Sequence, residues 1–383
     1  MEISILINLV LILGAFFYLL VQLGLTAGLK PAASLMSTDK PFVSVIVAAR
    51  NEENNVGRLL QCLVQQNYSN FEIIIVNDRS TDRTAELIAN FKKDHPNILE
   101  ISITDLQDDM PAKKNALRAG ISASKGEILC FTDADCYPPP TWIEELIWSF
   151  DSHVGIVAGF SPYQIQQKDG IINRYFENLF FQFIAYEEFR GAIWAAGSIG
   201  RKMAWLCTGR NLAYRRKVYE EVGGFEKIKM SVSGDDDLFM QLVRRLTKWN
   251  IRYVQTRESF VPTAPPAGFR DFVEQRKRHF SAAKFFTSRM KIFFFLYHSS
   301  NLLVFLSPIL FLSNAISTPI FISCVSFKLI GDFTLFKSAA PIFDGHVFRR
   351  SFILMEAGYV LYNSLIGPLG FIGKFEWKQG RTQ

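Results

Sequence analysis

Apolar residues along this chain follow two regimes. From Ile3 to Leu25 the run ISILINLVLILGAFFYLLVQLGL contains no Lys, Arg, Asp or Glu. About 20 apolar residues are what a helix needs to cross a bilayer. A cleaved signal peptide competes with that reading, but it needs a positive n-region, a shorter apolar core and a small-residue cleavage site. Only Glu2 precedes this run. Residues 1–29 are therefore expected to form a retained anchor, with the N-terminus outside and Lys30 and Lys40 on the cytoplasmic side. Residues 31–40 read as a polar linker.

From Pro41 the pattern alternates between strand and helix. PFVSVIVAA is a continuous buried-strand run, and Asn54 to Gln66 is helical, with Val56, Leu59, Leu60 and Leu63 on one side. FEIIIVND and ILEISI are further strands, Thr81 to Lys93 and MPAKKNALRAGISA further helices, and GEILCFTDAD a fourth strand. Short, fully apolar strands alternating with helices predict an α/β fold whose parallel sheet is covered on both faces. Ligands of such sheets bind at the carboxyl ends of the strands, where Asp78 and Asp133 fall.

Residues 154–260 are less regular. They hold an aromatic helix near 170–190, a Gly-rich stretch at 191–200 and the segment CTGRNLAYRR. After Arg289 come three apolar segments, 291–312, 315–336 and 352–373, the last containing Glu356, Gly367 and Pro368. With the anchor, four spans would put Lys374, Lys378 and Arg381 outside, against the positive-inside rule. One apolar segment is therefore expected to be re-entrant or interfacial, and the pattern leaves open which. No internal repeat or low-complexity segment is present.

Composition sharpens the membrane reading. Of the 383 residues, 49% are hydrophobic and 35 are Phe, dense in the last hundred positions, and the mean hydropathy is +0.12. The net charge of +6 suits nucleic acid, an anionic membrane face or a phosphorylated substrate. The membrane accounts for it with the fewest assumptions, so no nucleic-acid partner is expected. The five cysteines, Cys62, Cys130, Cys136, Cys207 and Cys324, form no CxxC pair and are read as reduced.

Five polar clusters carry candidate chemistry. Asp133 and Asp135, at i and i+2 of an extended segment, point to one side. They repel unless a cation intervenes, and Mg2+ or Mn2+ binds through one or two carboxylates plus substrate phosphates. Solvated loop acids capping the next helix are the plainer alternative. Asp78, just past a buried strand, is placed to bond a ligand, while Ser80 or Thr81 is expected to cap the following helix. Asp235, Asp236 and Asp237 open a helix whose apolar side runs through Leu238, Leu242 and Leu246. Acids favour that position through the macrodipole, but three in a row exceed what capping needs. Gln275-Arg276-Lys277-Arg278-His279 fits either phosphate recognition or a basic helix on an anionic membrane face. Lys113 and Lys114 are exposed helix charges by default and phosphate partners otherwise.

In this order the elements resemble the processive and lipid-modifying branch of the family 2 glycosyltransferases, which includes cellulose and hyaluronan synthases and ceramide glucosyltransferase. SVIVAARNEE resembles the first strand and its NE turn, VNDRSTDRT the second strand and first aspartate, and PAKKNALRAGI the Gly-Lys helix. FTDADC resembles the DxD strand, CTGRNLAYRR the acceptor-side TG loop, and QRKRH the Q/R-x-x-RW motif. The resemblance covers about residues 41–290 and the flanking membrane segments. It implies a GT-A (Rossmann-like) mixed sheet with helices on both faces, flanked by transmembrane helices. It divides the chain into an anchor at 1–29, a catalytic domain at 41–268, an interfacial segment at 269–290, membrane helices at 291–373 and a polar tail at 374–383.

It further implies an inverting, metal-dependent hexosyl- or N-acetylhexosaminyltransferase. A nucleoside diphosphate sugar, in first place a UDP-sugar, is the implied donor. The implied acceptor is a lipid or glycan. By match, Glu52, Asp78, Lys114 and Asp133 are donor-side residues, Asp135 with Asp133 would hold Mg2+ or Mn2+, and Gln275, Arg278 and His279 face diphosphate and acceptor. Aligning the helix that runs to Trp249 places Asp236 and Asp237 on the family's Glu-Asp pair, with Asp237 the expected base and Asp236 the fallback. His279 stands where the family has Trp. In polymerising members that Trp lines the acceptor site, so its replacement favours single transfer to a lipid over processive polysaccharide synthesis. The catalytic domain is expected on the cytoplasmic side of an integral, multi-pass protein, the acceptor entering from the membrane. A catalytically silent nucleotide-binding membrane scaffold is the reading from another class. A nucleotidyltransferase would bring a Gly-rich loop after the first strand, where this chain has AARNEE.

Overall fold

The computed structural model describes residues 2–29, 40–105, 110–164 and 174–372. Lys30, residues 31–39 of the expected linker and the expected tail at 374–383, with Lys374, Lys378 and Arg381, lie outside the described residues. The chain begins with α1 (Glu2–Gly28), then β1 (Val43–Ala49), α2 (Val56–Val64), β2 (Phe71–Asp78), α3 (Thr84–Asp94) and β3 (Ile98–Ile103). It continues through α4 (Ala112–Ala123), β4 (Ile128–Phe131), α5 (Trp142–Trp148), β5 (Val154–Ala158), α6 (Arg174–Gly200), β6 (Leu212–Arg215) and α7 (Arg216–Val222). The remainder is α8 (Asp237–Leu246), β7 (Asn250–Tyr253), α9 (Phe269–Ser281), α10 (Ser288–Phe305), α11 (Ser307–Leu312), α12 (Thr318–Ala339), α13 (Phe352–Leu365) and α14 (Leu369–Ile372).

Two compact units result: Met1–Leu29 with Ile171–Ile193 and Ala267–Gln383, and Lys30–Gly170 with Trp194–Pro266. The span 41–268, expected as one domain, thus contains a stretch, Ile171–Ile193, that belongs with the terminal helices.

The second unit is built on a seven-stranded sheet of order β3-β2-β1-β4-β6-β5-β7. β1 pairs in parallel with β2 and β4, and β2 with β3. β6 runs antiparallel to β4 and β5, so the sheet is mixed. Side chains alternate across it. Val43, Val45 and Val47 join Ile73 and Ile75 in a core with Leu59, Leu60 and Leu63 of α2 and Trp142 of α5. The opposite face takes α4, whose Gly120 lies so close that a Cβ would stand 2.6 Å from Ile46 Cγ2 and 3.1 Å from Val76 Cγ2. Both faces are therefore covered, which is why the strands read as unbroken apolar runs. Each such buried Val or Ile contributes roughly 1.5–3 kcal/mol relative to exposure. Sequence and structure agree on β2 and β3 to the residue, while helix ends move by at most three positions.

The first unit is helical. Among the described residues three helices are long and apolar enough to cross a membrane, Ile5–Gly28, Thr318–Ala339 and Phe352–Phe371. The segment expected at 291–312 is not among them. It is split into α10 and α11 at Leu306, just before Pro308, which has no N–H to continue a helix and sits in the first turn of α11. The polar residues of this unit meet one another. Lys328 lies 2.9 Å from Asp332 and donates to Asn301 (2.8 Å), and Arg190 lies 3.0 Å from Glu356.

Tight backbone packing at the sheet yields a prediction. A Cβ on Gly126 would stand 2.4 Å from the Ser44 backbone nitrogen, whereas one on Gly57 meets nothing within 4 Å. Gly126→Ala should destabilise the sheet unit by about 1–3 kcal/mol, and Gly57→Ala should not; chemical denaturation of both variants beside the wild type checks this.

Candidate active site

The carboxyl ends of β1, β2 and β4 carry the candidate residues. Two turns there are stitched together. The Asn51 N–H donates to Ser80 Oγ (3.0 Å), Thr81 N–H to Asn51 Oδ1 (2.8 Å), and Glu52 N–H to Thr84 Oγ1 (2.8 Å). Asp82 accepts from the Glu53 N–H (3.0 Å) and from the N–H and hydroxyl of Thr84 (3.0 and 2.6 Å). The capping expected of Ser80 or Thr81 is therefore absent: their side chains serve the neighbouring turn, and α3 starts at Thr84 behind Arg83, with Asp82 tying its first N–H. Asp78 ends β2, almost buried, and is gripped by Arg79 through Nε (2.7 Å) and Nη2 (3.0 Å). Glu52 accepts from Asn55 Nδ2 (2.8 Å).

The acids beyond β4 meet those that open α8 through a lysine. Lys113 Nζ lies 2.9 Å from Asp133 Oδ1 and 3.3 Å from Asp235 Oδ2. Burial alone would lower the Lys113 pKa, but Asp133, Asp235 and Asp236 outweigh it and hold the ammonium charged well above its ordinary range. Lys113, Asp133, Asp235, Thr132, Gly209 and Tyr214 line one small cleft. Lys114, the donor-side candidate, is fully buried and donates to the carbonyls of Ser231 and Ser233 (2.8 Å for the latter), fastening the loop that leads into the acids. Neither lysine is the exposed helix charge of the default reading.

The acid triplet is differentiated. Asp235 pairs with Lys113. Asp236 caps α8, its Oδ1 accepting from the Asp237 N–H (2.7 Å) and its Oδ2 from the Gly209 N–H (2.9 Å). Asp237 Oδ1 accepts from the Leu238 N–H (2.7 Å). Gly234, at φ +84, turns the chain into this cluster in a conformation that favours glycine. Burial, then Asp235, raises the Asp236 pKa; burial, then Asp236, lifts Asp237 well above the usual carboxylate range. The apolar side of α8 buries Leu238, Leu242 and Val243, but Leu246 is exposed, because the helix ends there.

The chemistry of these residues fits a divalent cation. Burial, then Asp133, raises the Asp135 pKa, with Glu52 adding to the rise and Arg210 opposing it. That is a pair of carboxylates held close at a cost that a cation removes. Among the described residues no three His, Cys, Asp or Glu side chains form a ready-made metal cage. A hard cation would complete its shell with substrate oxygens, as Mg2+ does. Arg210 also donates from Nε to Thr208 Oγ1 (3.2 Å) and faces the Tyr163 ring at 5.6 Å.

Gln275, Arg278 and His279 lie on α9, in the helical unit. There Arg276, a surface charge by its sequence context, is buried and paired with Glu187 (2.5 Å) and Glu188 (2.7 Å) of α6. From sequence Lys113 stands out only as half of a Lys-Lys pair, while Gly209, Arg210 and Arg79 lie inside the segments CTGRNLAYRR and VNDRSTDRT without a role of their own. A lone Gly or Arg inside a loop carries no periodic signal.

A mixed sheet of this order, with acids at the strand ends, is an arrangement of the GT-A type. Residues 44–223 match the family model "Glycosyl transferase family 2". The chain is 28% identical over 236 residues to a beta-monoglucosyldiacylglycerol synthase of Nostoc, covering 58% of this chain and 46% of the relative. It is 26% identical over 211 residues to a poly-beta-1,6-N-acetyl-D-glucosamine synthase of Staphylococcus epidermidis, covering 55% and 47%. The chain spans a little under half the length of these curated relatives. The mannosyltransferase PcManGT of Pyrobaculum calidifontis, solved in complex with GDP-Man and Mn2+, superposes with a TM-score of 0.56 at 19% identity, covering 97% of both chains. At that identity the likeness is one of fold.

The raised acids predict a pH signature. A carboxyl whose folded pKa lies above its unfolded value stabilises the fold fully below the unfolded value, near 4, and the contribution is lost as pH rises toward the folded one. Asp237→Asn should therefore melt higher than the wild type at pH 7.5 without metal, and the gap should close as pH falls toward 4; melting curves across that range check it.

Proposed function

We propose that the protein is an inverting glycosyltransferase that moves one sugar from a nucleoside diphosphate sugar to a membrane-associated lipid hydroxyl. The observation that carries this reading is the cluster in which Lys113 joins Asp133 to Asp235, beside Asp236 and Asp237. It sets the acids expected at the donor beside those expected at the acceptor hydroxyl. In this reading Asp78 binds the base, and Asp133 and Glu52 lie on the donor side. Lys113 takes the donor-side role that the family resemblance gives to Lys114. Gln275, Arg278 and His279 serve diphosphate and acceptor.

Asp135 and Asp133 would hold Mg2+ or Mn2+, which supplies charge neutralisation at the leaving diphosphate. Asp237 accepts the proton of the acceptor hydroxyl. The hydroxyl oxygen bonds the anomeric carbon from the face opposite the departing oxygen, the carbon–oxygen bond to the diphosphate breaks, and the configuration inverts. Asp237 suits the base better than Asp236, since both Asp236 oxygens already accept backbone N–H groups. Burial has also raised its pKa toward the working range of a base.

The lipid acceptor draws on the three candidate spans and on the name of the glycolipid synthase relative. Among the described residues three candidate spans stand where the hydropathy pattern offered four.

Membranes containing the protein, given labelled UDP-sugars and GDP-sugars with Mg2+ or Mn2+, should place label in the organic-solvent phase; label in insoluble polymer instead would favour the processive reading, after the polysaccharide synthase relative. Asp237→Asn should lower transfer at least about 100-fold, the scale of a lost general base, while donor affinity stays within about twofold. Equal loss of transfer and donor binding would refute the base assignment, and a larger loss in Asp236→Asn would move the role to its neighbour.

A further inference from the structure

Lys113 stands where a second cation would be unwelcome. Its Nζ lies 2.9 Å from Asp133 Oδ1, one of the two carboxylates expected to hold a divalent ion, and 3.3 Å from Asp235 Oδ2. The Lys113 and Asp235 side chains are 17% and 9% exposed, so solvent ions screen this cluster weakly. A divalent ion and an ammonium on the same carboxylate repel, and each weakens the hold of the other. The ammonium therefore has to leave Asp133 when Asp133 takes the metal.

A place to turn to lies beside it. Lys113 lines a cleft with Thr132 and Tyr214, among the apolar side chains of Leu117, Phe131 and Leu212. Thr132 is 2% exposed and Tyr214 1%. Thr132 Oγ1 and the Tyr214 hydroxyl are both buried, and neither has a hydrogen-bond partner among the described residues. A buried hydroxyl costs free energy in any state that leaves it unpaired. An ammonium has three N–H donors, and hydroxyl oxygens accept. Asp235 lines the same cleft, so an ammonium that turns from Asp133 to the hydroxyls keeps one carboxylate throughout. The turn is short, because Thr132 is the chain neighbour of Asp133.

We propose that Lys113 is a built-in surrogate for the divalent ion: it bridges Asp133 to Asp235 while the donor is absent, and turns to Thr132 and Tyr214 when metal and donor arrive together. This rests on the reading of Asp133 and Asp135 as the metal-holding residues of a nucleotide-sugar transferase. Charge balance sets the order. A bare divalent ion only adds positive charge beside the ammonium. An ion carried on a nucleoside diphosphate brings the negative charge that offsets it. Lys113 thus disfavours the bare ion, and the two hydroxyls hold the lysine aside once the loaded donor is in place.

The test is equilibrium dialysis of Mn2+ against the full-length protein in detergent, alone and with UDP or GDP, beside melting curves under the same conditions. The wild type should bind Mn2+ at least about tenfold more tightly with one of the nucleotides than alone, the scale of one neighbouring charge. Lys113→Met should bind bare Mn2+ at least about tenfold more tightly than the wild type, and its melting temperature should rise more on adding the ion. The double variant Thr132→Val with Tyr214→Phe tests the turn in a protein that keeps its lysine. It removes hydroxyls that have no partner, so without metal it should melt no lower than the wild type. Its Mn2+ affinity in the presence of the nucleotide should nevertheless fall about threefold or more. Bare Mn2+ held no better by Lys113→Met, or undiminished affinity in the double variant, overturns the inference while leaving the transferase reading intact. Mn2+ bound by none of the proteins with either nucleotide overturns that reading and this inference with it.

Discussion

A single ammonium group governs the acidic end of the sheet. Carboxylates from two distant stretches, after β4 and before α8, come together there, and in a poorly hydrated place they repel. Lys113, within 3.3 Å of both Asp133 and Asp235, offsets that repulsion. Its position is set by packing. α4 lies against β1 and β2 through Gly120, where any side chain would collide with Ile46 and Val76, so helix and lysine are fixed relative to the strand ends. The next residue, Lys114, turns into the unit and ties down the loop before the acids. Two adjacent lysines thus do different jobs, one electrostatic at the site and one mechanical behind it.

The compensation is incomplete, and this has a chemical use. Asp237 and Asp236 remain buried beside each other with their pKa values raised. An acid held in this way gives up stability at neutral pH and becomes a better proton acceptor. Backbone N–H groups keep the geometry from relaxing: Gly209 holds Asp236, and Leu238 holds Asp237. The Gly209 contact also ties the loop that carries Arg210 to the acid pair. A change in that loop would move the acids without touching them.

β1 and β2 are plain in the sequence because they are central strands, and burial on both faces leaves an unbroken apolar run where one-sided burial would leave alternation. β6 is harder to see. LAYR is only four residues, and its antiparallel insertion between β4 and β5 depends on pairing partners far away in the chain. The acids at the strand ends are legible from the rule that places ligands there. Which lysine faces them is not, since at about 100° per residue one step around a helix separates a site from a core. Ser80 and Thr81 look like caps by composition, but the β1 turn engages both residues, and that contact spans about thirty residues of sequence. Arg276 reads as surface charge until Glu187 and Glu188 of α6 meet it.

The apolar segments show how charged residues are carried inside a helical unit. Glu356 makes the third C-terminal segment look the least suited to a bilayer, yet Phe352–Phe371 is a candidate span while the stretch around α10 is not. That difference is one of length and composition, since α10 breaks off before Pro308; pairing explains how the spans carry charge. Glu356 meets Arg190 at 3.0 Å with both side chains buried, and Lys328 meets Asp332 within Thr318–Ala339 at 2.9 Å. A lone charge at mid-membrane is costly, but one that faces the helix interior and finds an opposite charge is tolerated. On α10, by contrast, Arg289 and Lys291 are exposed, which suits the polar boundary of a bilayer rather than its interior. The charges that count against a span are those without an interior partner, and only the packing of the helices reveals which those are.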